Sequence, residues 1–402
     1  MRMGELSVCK RIDKVGVSPT MRVAGEAKAM KARGEDVIDL SVGEPDFPTP
    51  QNIKDAAKRA IDEEHTKYTI NSGSVELRKA IQQSLIRDYD IEYALDEIIV
   101  SNGAKQSVYN TIMATVHVDD EVIIPAPYWV SYPQMVTLAH GTPVIVETTE
   151  ESGFKLTPKQ LVESITPYTR AMILCNPSNP TGSAYTKDEL QEIAEIMSKY
   201  HIFVIADEIY DKLVYDDFKF TSFPTLGKDT KRRTILINGV SKAYAMTGWR
   251  IGYTAAQKNV VDGINKLQSH STSHASSISQ QAAIEAFIGP QNAVEEMRKE
   301  FEKRRNYLHA ELNKIDGITC NKPEGAFYLF PNISKLFHRK SNVYKIEHSF
   351  DFAMHLLKEA QIAVVPGSAF GAEGYLRVSY ANSMENLERA VERFRKAVEM
   401  LS

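Results

Sequence analysis

The sequence predicts an α/β fold built on a mostly parallel sheet, and two observations carry that expectation. Between residue 50 and about residue 256, helix-like runs alternate with short apolar runs of strand length at 97–101, 121–125, 143–146, 171–175, 202–206, 234–238 and 251–254. Several of these runs end in glycine, asparagine, proline or charged residues, and ligands of open α/β sheets sit at the carboxyl ends of strands.

Composition bounds the remaining possibilities. The 402 residues are 43% hydrophobic and 25% charged with a net charge of −4, as expected of a globular chain of two domains. No basic excess points to nucleic acid, and no apolar run approaches the roughly 18 residues of a membrane span. Residues 1–7 hold no hydrophobic core of a signal peptide, so a cytoplasmic setting is expected. Cys9, Cys175 and Cys320 are odd in number, far apart and without metal spacing, which predicts buried free thiols and no metal site.

Taken in order, residues 1–35 hold a turn at Ser18-Pro19-Thr20 and a helix-like run through Ala24, Ala27, Met30 and Lys31, which together read as an arm. The run 36–43 reads as a strand ending at Gly43, where backbone approaches a ligand closely or merely turns. Asn102-Gly103-Ala104-Lys105-Gln106 follows a strand and opens a helix, so its amides and the helix dipole form a seat for phosphate. Pro125-Ala126-Pro127-Tyr128-Trp129 is a stiff turn whose tryptophan either stacks on a flat heteroaromatic ring or fills core. Asn176-Pro177-Ser178-Asn179-Pro180-Thr181-Gly182 is a turn in which Asn179 offers an amide to a phenolate oxygen.

The run 202–206 delivers Asp207 to a strand end, with Tyr210 three residues on. A buried carboxylate needs a partner, and a protonated pyridine nitrogen is one; the competing role is a helix N-cap. The run 234–238 then leads to Ser241 and Lys242, and eight residues later Arg250 stands between Gly248 and Gly252. An amine to form a Schiff base and a planar fork to hold a phosphate would grip the two ends of pyridoxal phosphate, although a lysine and an arginine near a strand also describe solvated surface. Asp207 would keep the ring cationic, and so an electron sink for the carbanion of an amino acid.

Beyond about residue 290 the character changes to a charged helix over 293–312 and a turn into a strand at Pro323-Glu324-Gly325-Ala326-Phe327-Tyr328. The last helix turns Leu387, Ala390, Val391, Phe394, Ala397, Val398 and Leu401 to one face, which is core. The strand 375–380 carries Arg377 within an apolar alternation.

The ordered set Tyr68, Gly103-Ala104-Lys105, Trp129, Asn179-Pro180-Thr181-Gly182, Asp207-x-x-Tyr210, Ser241-Lys242, Arg250 and Arg377 resembles the class I aminotransferases of the aspartate aminotransferase family, over nearly the whole chain. The phrases Pro127-Tyr128-Trp129-Val130-Ser131-Tyr132-Pro133, Ala206-Asp207-Glu208-Ile209-Tyr210 and 245–253 resemble its bacterial and archaeal subgroup. The resemblance implies the fold type I architecture of pyridoxal-phosphate enzymes, with an arm and part of the small domain in 1–45, a large cofactor-binding domain in 46–290 and a small α+β domain in 291–402. It implies Lys242 as the Schiff-base lysine and proton shuttle, Asp207 on the ring nitrogen, Tyr210 and Asn179 on the 3-oxygen, and Trp129 stacked on the ring. Arg250, Gly103 and Ala104 would hold the phosphate, joined by Tyr68 from the partner of a homodimer with shared active sites. Many relatives carry a hydroxyl three residues before the lysine; Gly239 stands there in this chain, leaving Ser241 or backbone for that contact.

For substrate, the resemblance implies that Arg377 grips the α-carboxylate with a two-pronged pair, with Gly43, Trp129 and Asn179 also in contact. Eukaryotic-type relatives meet a distal carboxylate with an arginine after the active-site strand, whereas residues 267–274 contain none; in the matching subgroup a lysine at the phosphate-seat turn takes that task, here Lys105. The expected reaction is transamination between aspartate or glutamate and a 2-oxo acid such as oxaloacetate or 2-oxoglutarate. Prephenate ranks lower because Ser18 stands where prephenate-using relatives carry a basic residue; aromatic or alanine specificity and a lyase of the same fold are the alternatives. A ligand-sensing regulator is set aside, since the short arm has no room for a helix-turn-helix.

Overall fold

The computed structural model describes residues 8–16, 19–341 and 344–402. Its strands are β1 (Ile38–Asp39), β2 (Ile98–Ser101), β3 (Glu121–Ala126), β4 (Thr142–Glu147), β5 (Thr169–Cys175), β6 (Phe203–Asp207), β7 (Thr234–Gly239), β8 (Gly252–Ala255), β9 (Tyr328–Leu329), β10 (Ile362–Ala363), β11 (Val365–Pro366) and β12 (Leu376–Ser379). Seven of them form one sheet in the order β2-β8-β7-β6-β5-β3-β4. It is parallel throughout except where β8 runs antiparallel to both β2 and β7. All seven runs expected between residues 50 and 256 are strands of this sheet, which bears out the α/β expectation.

These strands read as unbroken apolar runs because both sheet faces are covered. Ile99, Ile124, Ile173 and Ile205 point into one cluster with Val108 and Ile112 of the helix Ala104–Thr115. On the other face, Ile123, Met172, Leu174 and Val204 pack against Leu190, Ile193 and Ala194 of the helix Lys187–Met197. Edge strand β4 is the exception, with none of its residues fully buried.

The C-terminal third builds a three-stranded antiparallel sheet, β11-β12-β9, covered by the helices Asn292–Leu312 and Met384–Glu399. The periodic face of the last helix is buried as its spacing requires, and Leu401 is buried just beyond its end. The strand expected over 36–43 is only two residues long, pairing in parallel with β10. After Asp39 the chain turns away, with Asp39 Oδ1 accepting from both the backbone and the hydroxyl of Ser41. Val23, Ala27 and Met30 of the helix Pro19–Ala32 pack on Leu357 and Ala363; the expected turn at Ser18 lies outside the described residues.

Candidate active site

The carboxyl ends of the parallel strands and the edge of the small sheet enclose a cavity of about 730 Å³. Gly43, Ala104, Lys105, Trp129, Asn179, Asp207, Tyr210, Ser241, Lys242, Arg250 and Arg377 all line it. Gly103 lies just behind this lining, against Arg250. Tyr68, among the described residues expected at the site, stays away: it is 93% exposed, its ring set edge-on to His274 at 5.5 Å.

The floor is set by β6 and β7. Asp207 is the last residue of β6 and is followed by turns, not a helix, so the N-cap role falls away. Its carboxylate is buried, accepts from the Tyr132 hydroxyl at 2.7 Å and, weakly, from the Ile209 amide at 3.4 Å. Burial pushes its pKa up, against those two hydrogen bonds and the nearby Lys242 charge. Lys242 follows β7, and its Nζ donates to the Gly43 carbonyl at 2.5 Å. Desolvation first, then the charges of Arg377 and Arg250, lower its pKa to about 8. About a tenth of such amines are neutral at pH 7, against fewer than one in a thousand for an ordinary lysine.

One end of the cavity has the form of a phosphate seat. Gly103 caps the helix Ala104–Thr115 with φ +85°, and a Cβ there would lie 2.2 Å from Arg250 Nη2. Arg250 is aimed by Nη1 donating to the Thr247 carbonyl at 2.8 Å and Nη2 to the Asn102 carbonyl at 3.3 Å. Gly239 pairs with Gly252, and a Cβ on Gly239 would meet the Ile251 carbonyl at 2.7 Å. This accounts for the missing hydroxyl three residues before Lys242: β8 lies too close for any side chain. A Cβ on Gly252 would in turn sit 2.2 Å from the Ala104 amide nitrogen, against backbone that has nowhere to move. Gly252→Ala is therefore expected to cost about 1–3 kcal/mol in denaturant unfolding.

The opposite wall comes from β12. Arg377 is buried. Its Nη1 donates to Asn179 Oδ1 at 3.0 Å and Nη2 to the Ser41 carbonyl at 2.6 Å, while its guanidinium lies between the rings of Tyr328 and Phe370 at 4.5 and 5.1 Å. Its Nε is buried with no acceptor. Lys105, at the helix start, stands over the Trp129 ring at 4.8 Å. Desolvation and then the charge of Arg250 lower its pKa, and among the described residues it has no carboxylate partner.

Sequence reasoning passed over Tyr132, Tyr328, Phe370 and Ser41 as site residues. Tyr328 hydrogen-bonds the Tyr210 hydroxyl at 2.9 Å, and its own hydroxyl would be 2.9 Å from a Cβ on Gly43, which is why the chain needs glycine there. The cysteine expectation needs correction. All three are free, but Cys9 is exposed on the short helical turn it caps, and Cys175 is half-buried on the cavity wall. Burial pushes the Cys175 thiol up to about 12, so it is inert at neutral pH. No group of three or more metal-ligating side chains occurs among the described residues, and no helix of the described chain is long and apolar enough to cross a membrane.

The donor set matches pyridoxal phosphate in kind. A lysine of depressed pKa, a buried carboxylate that makes no close ion pair among the described residues and a glycine-lined helix start beside an arginine are the partners of an aldehyde, a cationic ring and a phosphate, respectively.

Comparison with known proteins agrees with this geometry. The family model described as "Aminotransferase class I and II" matches residues 35–394. A Rickettsia conorii protein named probable aspartate/prephenate aminotransferase is 48% identical over 396 residues, covering 98% of this chain and 99% of its own. The aspartate aminotransferase of Bacillus subtilis is 46% identical over 394 residues, with 98% and 99% covered. Among solved structures, an aspartate aminotransferase from Rhizobium meliloti superposes with a TM-score of 0.96 at 42% identity, covering 99% of this chain and 100% of that one. On the match along most of its length and on its full-length relatives, the chain belongs to the class I and II aminotransferases.

Proposed function

We propose that this aminotransferase uses pyridoxal phosphate to move the amino group between aspartate or glutamate and a 2-oxo acid, with oxaloacetate and 2-oxoglutarate as the favoured acceptors. The observation that carries the substrate class is a pair of cations on one cavity: buried Arg377 with an unsatisfied Nε, and Lys105 with no carboxylate partner among the described residues. Two carboxylates on one small substrate satisfy both. The names of the Bacillus subtilis and Rhizobium meliloti relatives support the same choice.

When bound, pyridoxal phosphate supplies an aldehyde that takes up the amino group and a cationic ring that accepts the electron pair left by α-proton loss. The chain's residues do the rest. Arg250 and the amides at Gly103 and Ala104 would hold the phosphate, and Ser241 also lines the cavity. Asp207 would pair with the ring nitrogen, Tyr210 and Asn179 would donate to the 3-oxygen, and Trp129 would cover the ring. Arg377 would orient the substrate by its α-carboxylate, and Gly43 lines the cavity with it. Lys242 Nζ takes the proton from the substrate's α-carbon, a task its lowered pKa suits at neutral pH.

Lys105→Ala is expected to lower kcat/KM for aspartate and glutamate by about 10- to 100-fold, the loss of one charge-assisted contact of ~1.5–3 kcal/mol. Neutral amino acids should lose much less. Steady-state kinetics with aspartate and alanine as donors check this; equal losses would assign Lys105 to the cofactor or the fold.

Three further points belong to this proposal. The exposure of Tyr68 supports a homodimer in which each Tyr68 serves the partner's phosphate seat. Free cysteines suit a cytoplasmic setting. The division into residues 1–45, 46–290 and 291–402 is supported by one core cluster joining Ile38 and Leu40 to residues from Met297 to Leu401, though Ile209, Tyr210, Leu213 and Tyr215 join it as well. Prephenate as an added acceptor is favoured by the Rickettsia conorii relative's name, and Ser18, which argued against it, lies outside the described residues.

A further inference from the structure

We propose that Tyr132 is a positioning residue for transamination: its buried hydroxyl holds the Asp207 carboxylate as an anion and fixes which oxygen stays free for the cofactor's ring nitrogen. The proposal rests on the reading of Asp207 given above and adds a residue to it.

A carboxylate has about four acceptor sites, and one buried away from water needs most of them filled. Asp207 receives one well-formed hydrogen bond from the protein side chains, from Tyr132 Oη to Oδ2 at 2.7 Å, and the Ile209 amide approaches Oδ1 only to 3.4 Å. Oδ1 is thus the less satisfied oxygen, and it belongs to a residue that lines the cavity. Tyr132 is itself placed with little freedom. It is the second residue of the helix Ser131–Leu138, is 2% exposed, and sits edge-on to the Trp129 ring at 5.2 Å. The tryptophan that would cover the cofactor and the carboxylate that would meet its nitrogen are therefore braced by one side chain.

The other titratable groups that act on Asp207 cannot substitute for it. Cys175, at the end of β5, and Glu208, next in the chain, each disfavour the anion when charged; burial holds the thiol up at about 12 and the Glu208 carboxyl up at about 8. Glu208 moreover faces away, accepting from the Ser222 hydroxyl at 2.6 Å and the Phe223 amide at 2.8 Å. Lys242 favours the anion, but its Nζ is turned to Gly43 and is committed to the other end of the cofactor. Tyr132 keeps its own proton, because burial and then the Asp207 charge push its pKa well above the ordinary phenol value. It is a donor that stays a donor. Without it, Asp207 binds a proton more tightly and competes with the ring nitrogen for the one they share.

The test loads wild type, Tyr132→Phe, Tyr132→His and Asp207→Ala with pyridoxal phosphate labelled with 15N in the ring. It follows the nitrogen shift from pH 5 to pH 9 beside kcat and KM for aspartate. Tyr132→Phe keeps the ring packing and is expected to lower the pH at which the nitrogen loses its proton by about one unit or more. It should lower kcat about 10-fold or more with KM for aspartate nearly unchanged, since one hydrogen bond to a charged group is removed and no substrate contact is. Tyr132→His, which retains a donor, should recover most of the protonation, and it decides the matter alone if the phenylalanine variant does not fold. A nitrogen as protonated in Tyr132→Phe as in wild type, or one left neutral in Tyr132→His, overturns the proposal. A nitrogen that is neutral in wild type or still protonated in Asp207→Ala overturns the reading of Asp207 itself.

Discussion

Replacing Lys242 by alanine is expected to lower transamination by about 10⁴-fold, the upper end of what a positioned acid–base group contributes, while the protein stays folded. The size follows from the absence of a substitute. Among the residues lining the cavity, the other cations are Lys105, Arg250 and Arg377. Each arginine already donates to a backbone carbonyl, Arg250 to Thr247 and Arg377 to Ser41, and Lys105 lies over Trp129 at the helix start, where it is assigned to substrate. Cys175 is held protonated and Tyr210 still more firmly, so neither offers a base. Alanine also removes the donor to the Gly43 carbonyl, which can turn to solvent in the cavity, so little stability should be lost. Turnover assays with matched thermal unfolding check this, together with loss of the lysine-dependent absorbance of the bound cofactor. Activity within tenfold of wild type would remove Lys242 from the mechanism.

Asp207→Ala should be the next most severe change, lowering kcat about 10²- to 10³-fold while pyridoxal phosphate binding weakens much less. Breaking a buried charge pair costs about 3–5 kcal/mol, and the ring cation is what that charge would sustain. The proposed phosphate contacts lie elsewhere, on Arg250 and the amides behind Gly103, and would be untouched by the substitution. Removing the carboxylate leaves the Tyr132 hydroxyl without its acceptor but creates no new buried charge. Equal losses of binding and turnover would mean that Asp207 serves occupancy and not chemistry. Equilibrium titration of the cofactor-free variant, set beside its kcat, separates the two.

Much of this architecture was legible because it is written in local chemistry. Unbroken apolar runs identify strands covered on both faces, and the polar residues directly after them can only stand at the sheet's carboxyl edge; that places Asp207, Asn179, Lys242 and Lys105 together without any contact being known. Arg377 was harder. Alternation on a strand as short as β12 does not say which face is solvent, and burial between Tyr328 and Phe370 is a property of the assembled fold. Tyr132, Tyr328 and Ser41 were missed for the same reason, since each reaches the site through a partner distant in sequence: 75 residues for Tyr132 and Asp207, 118 for Tyr328 and Tyr210, 336 for Ser41 and Arg377. The strand expected over 36–43 shortened because its apolar pattern serves packing on β10 for only two residues before the chain turns to offer a carbonyl to Arg377. Cys9 was expected inside from composition alone, and it lies on an exposed turn that no core covers.

The most direct test of the whole account is the half-reaction of the cofactor-loaded protein with single amino donors, followed by absorbance as the aldehyde form of the cofactor is converted to the amine form. Aspartate and glutamate are expected to drive complete conversion at micromolar to millimolar concentrations, with phenylalanine and alanine at least about 10-fold less effective in kcat/KM, because only a dicarboxylate engages Arg377 and Lys105 together. Conversion by phenylalanine as readily as by aspartate, or no conversion by aspartate at all, would contradict it.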